Sequence, residues 1–220
     1  MNKFLNTIKL AVRGQSIYRV LSQQTLKENS PALSGRVIDL AGGGKNNYFE
    51  YLNLTKAEYS NADIKSGPGV DVVLDLTGPL PLAGNSFDAA LLFNCLYIFA
   101  NPAEILKEVN RVVKPGGFLL AITPFIFNEA PEPTDYWRFT SQGLRQVLSH
   151  GGFSEIKIIT FGERFTAVIF LLNKFLILNF LRPLFYLPAI WLDKLVPLGV
   201  KKNHPCPLGY LAIAKRADHS

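Results

Sequence analysis

The chain has 220 residues, 48 % of them hydrophobic, which is enough for one domain with a substantial core and excludes a disordered chain. The net charge is +6 and the sequence pI about 9.3, yet the cations are scattered apart from short pairs such as Lys201-Lys202, so no basic run of the kind that binds nucleic acid is present. The two cysteines, Cys95 and Cys206, form neither a metal-ligand spacing nor a disulfide framework, and a reducing, cytoplasmic setting is expected.

Residues 1–12 are mildly apolar, with Lys3 and Lys9 interleaved. They lack the continuous apolar stretch and small-residue cleavage site of a signal peptide. An amphipathic helix is expected there, within a helical cap over residues 1–34. Residues 36–40 read as an apolar strand, and it runs straight into Ala41, Gly42, Gly43 and Gly44. Small residues let a backbone turn sharply and approach a ligand closely. A helix over 47–54 would add free N–H groups to the same place.

Further strands are expected over 58–62, ending at Asp63, over 70–74, rich in valine, and over 87–93. The stretch 65–69 is a loop by composition, and 78–85, with two prolines and two glycines, is irregular. Asn101, Pro102 and Glu104 form a helix start, with a cap, a proline in the first turn and a carboxylate three residues on. In that helix Ile105, Leu106, Val109, Val112 and Val113 share one face. Residues 114–117, Lys-Pro-Gly-Gly, stop it, and 118–123 is a buried strand.

Thr140 or Ser141 caps the next helix, which Gly151 ends; 155–160 and 208–214 complete the strands. Seven strands alternating with helices make an α/β layered fold with a largely parallel sheet, and no internal repeat interrupts it. Residues 165–192 break the pattern. They are very apolar, but Asn173-Lys174 sits at the centre of the first run, and a charge at mid-bilayer is costly. Two helices packed on the domain, or a helix lying on a membrane surface, are expected rather than a span.

The glycine turn discriminates between ligands. A phosphate loop of the form G-x-x-x-x-G-K-[ST] fails, because Asn46 follows Gly44-Lys45 and Asp39 stands at the first glycine's place. A dinucleotide fingerprint fails at its third position, Asn47, and Asp39 would repel a pyrophosphate. A cationic ligand, the sulfonium of S-adenosylmethionine, is favoured by that same acid. Asp63 ends the second strand, where a carboxylate can accept both hydroxyls of a ribose, and Asp75 follows the third.

Together with Leu80-Pro81-Leu82, Ser86-Phe87-Asp88 and residues 111–117, this ordered set resembles the class I S-adenosylmethionine-dependent methyltransferases. The resemblance covers roughly residues 36–153, with a matching final strand. It implies a Rossmann-like, doubly wound, mostly parallel seven-stranded sheet with an antiparallel last strand. The layout would be one methyltransferase domain over 1–220: the cap, a cofactor-binding core over 35–160, a hydrophobic helical insertion over 161–205 and a closing strand over 206–216.

Carried over by position, Asp39, Ala41, Gly42, Gly43 and Gly44 would lie by the methionine part of the cofactor. Asp63 would take the ribose hydroxyls, Asp75 and the Leu76 backbone the adenine, and Asn94 the methionine end. Asp63 and Asp75 also suit turns, and Asn94 a helix cap. The chain departs from the family at Ala41 and Lys45 in the turn. It also has Leu96-Tyr97-Ile98 where relatives carry Leu-Glu-His. These departures leave room for a cofactor-binding regulator without catalysis.

Residues 133–140, Pro-Thr-Asp-Tyr-Trp-Arg-Phe-Thr, resemble the Pro-x-Asp-Tyr-x-Arg-Phe/Tyr-Thr segment of one branch of the family. The resemblance implies that Asp135, Tyr136, Trp137 and Arg138 bind the acceptor. The alternative is that Asp135 and Arg138 pair with each other while the aromatics pack the loop. No general base stands out; Asp135, Tyr136 and His204 are the candidates, with Glu129 and Glu132 behind them, and His150 and His219 lie at a helix end and in the tail. The acceptor is expected to be a small molecule, a glycan or a lipid-linked compound. The apolar segment 165–192 allows peripheral membrane contact or, by itself, a membrane-peripheral interaction module.

Overall fold

The computed structural model describes residues 3–43 and 48–217. Seven strands form one sheet: β1 (Leu33–Asp39), β2 (Leu54–Asp63), β3 (Val72–Val73), β4 (Phe87–Phe93), β5 (Val113–Pro124), β6 (Phe153–Phe161) and β7 (Gly209–Arg216), in the order β3-β2-β1-β4-β5-β7-β6. β1 to β5 pair in parallel, and β7 runs antiparallel to both β5 and β6. The Rossmann-like expectation, last strand included, is therefore correct.

Central parallel strands are covered on both faces and so read as continuous apolar runs. In β4 six of the seven residues, all but Asp88, are buried. One face is covered by α3 (Pro102–Val112) and α4 (Ser141–His150), through Leu106, Val109, Leu144 and Leu148. The other is covered by α2 (Ile17–Asn29), α5 (Arg164–Leu171) and α6 (Arg182–Leu195), through Ile17, Leu26, Phe170 and Tyr186. α1 (Lys3–Val12) packs against α6 and α2, and the short α7 (Leu198–Asn203) leads back to β7.

Local chemistry explains most boundaries. Thr140 caps α4 by accepting the Gly143 N–H at 3.1 Å, and Gly151 closes that helix. Pro102 opens α3 as expected, but the Asn101 amide donates to Glu104 at 2.8 Å instead of capping the backbone. Residues 114–117 do end α3, yet they already belong to β5, which starts at Val113.

Three expectations need correction. No helix fills 48–54: a single 3-10 turn occupies Phe49–Tyr51, and β2 starts at Leu54, four residues before its expected beginning. The third strand shrinks to Val72–Val73. A third is one of detail: α2 falls within the helical cap expected over 1–34 and α7 within the helical insertion expected over 161–205, but neither had bounds of its own. In α2 the buried face includes Ser22 and Gln23, which breaks the apolar stripe that marks a helix.

The strand order reverses between β1 and β4, which both cross over from there in opposite directions. In such sheets ligands bind outside the carboxyl ends of the strands at that reversal. Asp39 pairs across from Leu91, so the chain leaving β1 at Leu40 and the chain leaving β4 at Asn94 flank one crevice.

Candidate active site at the carboxyl edge of the sheet

The turn after β1 is built so tightly that position 42 must be glycine. A Cβ on Gly42 would lie 1.9 Å from Asn61 Oδ1 and 3.0 Å from Asp39 Cγ, and the Gly42 N–H donates to the Ala62 carbonyl at 3.1 Å. Gly43 follows with φ of 56°, in the left-handed region, and donates its N–H to Asp63 Oδ2 at 3.0 Å. Asp63 Oδ1 accepts the Lys65 N–H at 3.2 Å, so this carboxylate ties the glycine turn to the loop after β2. Gly44 and Lys45 lie outside the described residues.

Asp39 is buried beneath this turn. Its Oδ2 accepts the Tyr59 hydroxyl at 2.9 Å, while Oδ1 has no hydrogen-bond partner among the described residues. Burial pushes the carboxyl up to about 6; the Tyr59 and Ala41 contacts pull against that and the nearby Asp63 charge adds to it. Asn61 Oδ1 is likewise buried without a partner, although the Asn61 amide donates to the Gly69 carbonyl at 2.7 Å. Two orphaned acceptors beside a turn with no side-chain bulk fit a ligand carrying positive charge and hydrogen-bond donors.

On the other wall, Asn94 sits at the end of β4 with φ of 56°. Asparagine tolerates this conformation better than most residues. Its side chain is held from two sides: Asn94 Oδ1 accepts the Tyr18 hydroxyl at 2.6 Å, and Asn94 Nδ2 donates to the Tyr48 hydroxyl at 2.8 Å. Neither tyrosine was visible as a site residue in the sequence, because one lies in the helical cap, far from any motif, and the other in the misread 47–54 segment. Asn94 caps no helix; Cys95 stands at the head of the following 3-10 turn, and burial pushes its thiol well up, which makes it an inert core residue.

Asp75 is exposed and accepts the Thr77 N–H at 2.8 Å, the geometry of an Asx turn, and these bonds from Thr77 hold its carboxyl below the usual range. Leu76 packs partly against the core beside β3.

In the 133–140 segment Asp135 and Arg138 do pair with each other. Both guanidinium nitrogens donate to the carboxylate, Arg138 Nη2 to Asp135 Oδ2 at 2.6 Å, and the Ala130 N–H adds a third bond at 2.9 Å. The Arg138 bond holds the Asp135 carboxyl below its ordinary range. The guanidinium also lies 5.5 Å from the Tyr97 ring and 5.9 Å from Phe127. Trp137 donates Nε1–H to the Phe99 carbonyl at 2.9 Å and stacks on Phe139. Tyr136 is anchored by its backbone to the Tyr97 carbonyl while its ring is 55 % exposed. The segment is thus clipped onto residues 97–99, directly after β4, at the crevice that holds Asn94. His204 is exposed at the end of α7, and His150 is exposed at the end of α4. His219 lies outside the described residues.

Residues 41–121 match a family described as "Methyltransferase domain". Among curated proteins, the chain is 32 % identical to demethylmenaquinone methyltransferase of Paenarthrobacter aurescens over 93 residues, 39 % of this chain and 37 % of that protein. It is 26 % identical to the enzyme of the same name from Renibacterium salmoninarum over 140 residues, 60 % of this chain and 59 % of that one. The chain therefore spans less than two thirds of the length of these relatives. Among solved structures, a SAM-dependent methyltransferase of Thermotoga maritima superposes with a TM-score of 0.58 at 16 % identity, covering 97 % of this chain and 96 % of that one. The matched segment runs from the glycine turn into β5 and contains Asp63, Asp75 and Asn94, and the chain shares the Rossmann-like fold of the solved methyltransferase.

Proposed function

We propose that this protein transfers a methyl group from S-adenosylmethionine to a small acceptor, with an apolar or lipid-linked compound the best fit. The observation that carries the reading is the buried, unpartnered Asp39 Oδ1 beneath a turn where only glycine fits. The matches to a methyltransferase domain and to demethylmenaquinone methyltransferases support it.

Asp39, Gly42 and Gly43 would hold the methionine part, with Ala41 and Gly44 completing the turn. Asp63 would take the ribose, Asp75 and Leu76 the adenine side, and Asn94 would face the methionine end. When bound, the cofactor supplies an electrophilic methyl carbon: the acceptor's lone pair forms the new bond while the carbon–sulfur pair departs with sulfur. The remaining work is alignment, which by itself can supply much of the rate. Asn94, fixed by Tyr18 and Tyr48, gives one rigid wall. Phe127, whose ring meets Tyr18 at 5.1 Å, continues that wall with Tyr97 and the Asp135–Arg138 pair. Asp135 is committed to Arg138 and held ionised, which makes it a positioning residue and a poor base. Tyr136, with its exposed ring, is the better candidate to receive an acceptor proton.

A second reading, cofactor binding without turnover, is favoured by that same commitment of Asp135. Calorimetry with S-adenosylmethionine and S-adenosylhomocysteine tests both. Absence of binding removes both readings, and binding without release of S-adenosylhomocysteine on apolar acceptors selects the second. Asp63→Ala should weaken binding at least about tenfold, the order expected for loss of a charge-assisted bond.

A further inference from the structure

The outer surface of the 161–205 insertion is not that of a water-exposed layer. On α6, Leu184, Pro188, Trp191 and Leu195 recur at helical spacing on the exposed side, while Pro183, Tyr186, Ala189 and Asp193 are buried on the other. Phe165, Val168 and Leu172 occupy the exposed side at α5. Between the two helices, Phe175 and Ile177 are 79 % and 80 % exposed, and Leu198 at the start of α7 is 83 % exposed. A helix facing water carries polar residues outward, and contiguous exposed apolar surface marks an interaction site.

Charge identifies what covers it. Between residues 164 and 203 there are six cations and one acid, Asp193, which is buried against the start of α5; Arg164 is paired with Glu163 and Arg182 is bonded to the Leu176 and Gly14 carbonyls, so Lys174, Lys194, Lys201 and Lys202 carry the charge of this surface. From 36 to 163 the balance inverts, with fourteen acids against ten cations. Residues 164–203 therefore carry a net +5, and residues 1–35, with five cations against Glu28, a further +4. An open groove of about 1070 Å³ runs along this surface beside α1, with Phe4, Ile190 and Trp191 among its apolar lining, and its charged lining is balanced, Lys3, Lys194 and Lys201 against Glu28, Glu163 and Asp193. Aromatic and aliphatic side chains mixed with lysines are the composition of segments that lie in a membrane interface.

No helix among the described residues is long and apolar enough to cross a membrane. α6, with 14 residues, is about 21 Å long at the helical rise, against roughly 30 Å of hydrocarbon. The surface also lies at the right edge of the sheet. The insertion leaves β6 at Phe161 and returns at Gly209, and both positions pair at the carboxyl end of β5, the edge that carries Asp39 and Asn94.

We propose that the outer face of α5, α6 and α7, together with the exposed apolar side of α1, seats on an anionic phospholipid bilayer, with α6 lying in the interface. The bilayer source of the apolar acceptor would then open onto the crevice, but the docking itself does not depend on the methyl-transfer reading.

Flotation of the full chain with vesicles of phosphatidylcholine, alone or mixed equally with phosphatidylglycerol, tests this. Partition should be at least about tenfold stronger on the anionic vesicles, as a few lysines near such a surface provide, and should fall with added salt. The double variant Phe175→Glu/Ile177→Glu changes two side chains that pack on nothing in the core. It should lose vesicle binding at least about tenfold while its circular dichroism and calorimetric S-adenosylmethionine binding stay unchanged. Equal binding of parent and variant, equal binding to neutral and anionic vesicles, or no binding to either overturns the proposal. A self-association in sedimentation velocity that the double variant abolishes, without vesicle binding by the parent, would assign the face to a second copy and likewise overturn it. Loss of cofactor binding with vesicle binding intact would remove only the methyl-transfer reading.

Discussion

The Tyr59 hydroxyl donates to Asp39 Oδ2 at 2.9 Å, and among the described residues no hydrogen-bond partner meets the other oxygen of that carboxylate. One hydrogen bond is too little for a fully buried charge, and the carboxyl is pushed up to about 6. Its pKa is raised in the folded state. The unfolded chain therefore ionises first as pH increases, and stability falls between about pH 4 and pH 6 by roughly 3 kcal/mol at most. A cationic ligand reverses this, because it binds the ionised form. S-adenosylmethionine affinity should accordingly rise as pH increases through 6, and Asp39→Asn should flatten that rise, weaken binding and leave the ligand-free protein more stable at pH 7. Calorimetry and thermal melts across pH 5 to 8 read both effects.

Gly42 should not accept even a methyl group. Its Cβ would be 1.9 Å from Asn61 Oδ1, and Asn61 cannot swing away cheaply because its amide is bonded to the Gly69 carbonyl. Gly42→Ala is expected to cost about 1–3 kcal/mol as an overpacking change and to abolish cofactor binding. Gly78→Ala, where an added Cβ meets nothing within 4 Å, is the control and should stay within about 0.5 kcal/mol. Urea denaturation of both variants checks the contrast.

Asn94 combines a left-handed backbone with a side chain clamped by two tyrosines. The two roles separate by substitution. Asn94→Ala loses both and should cost about 1–3 kcal/mol, the penalty for orphaned buried groups plus an unfavourable φ. Asn94→Gly relieves the backbone but not the clamp, so stability should recover partly while methyl transfer, measured as S-adenosylhomocysteine released, remains low. Recovery of both would show that only the backbone matters there.

Arg138→Lys keeps the charge but loses the fork that grips Asp135 with both nitrogens. Since Arg138 also lies over Tyr97 and Phe127, the loop should loosen on the acceptor side only. The expected signature is a higher acceptor KM and lower kcat with unchanged S-adenosylmethionine affinity. A loss confined to cofactor binding would contradict this placement.

The sheet and the ends of its strands were legible in the sequence because they rest on local signals. The apolar run 87–93 is β4 residue for residue, and Asp39 and Asp63 stand at strand ends marked by composition. The clamps on Asn94 were not legible, because they depend on residues 76 and 46 positions away meeting in space. The 133–140 segment left two readings open, and the structure shows the pairing of Asp135 with Arg138 that one of them names. α2 was hidden by Ser22 and Gln23 on its buried face, the first of which shares a hydrogen bond with Tyr48 at 3.2 Å.

Asp193 is the least visible of these residues, an acid in a stretch that otherwise reads as grease. From α6 its carboxylate accepts the Glu163 N–H at 3.0 Å, the Phe165 N–H at 2.8 Å and the Thr166 hydroxyl at 2.6 Å, all at the start of α5. A negative charge there satisfies orphan donors of the helix and complements its dipole. It also bolts the two helices of the insertion together. Asp193→Ala should therefore cost about 1–3 kcal/mol, and the loss should be local. Limited proteolysis is expected to open between residues 172 and 181, while S-adenosylmethionine binding at Asp39 and Asn94 persists. Asp193→Asn retains acceptor capacity through one oxygen and should fall between parent and alanine; equal protease resistance in all three would show that α5 and α6 hold together by apolar packing alone.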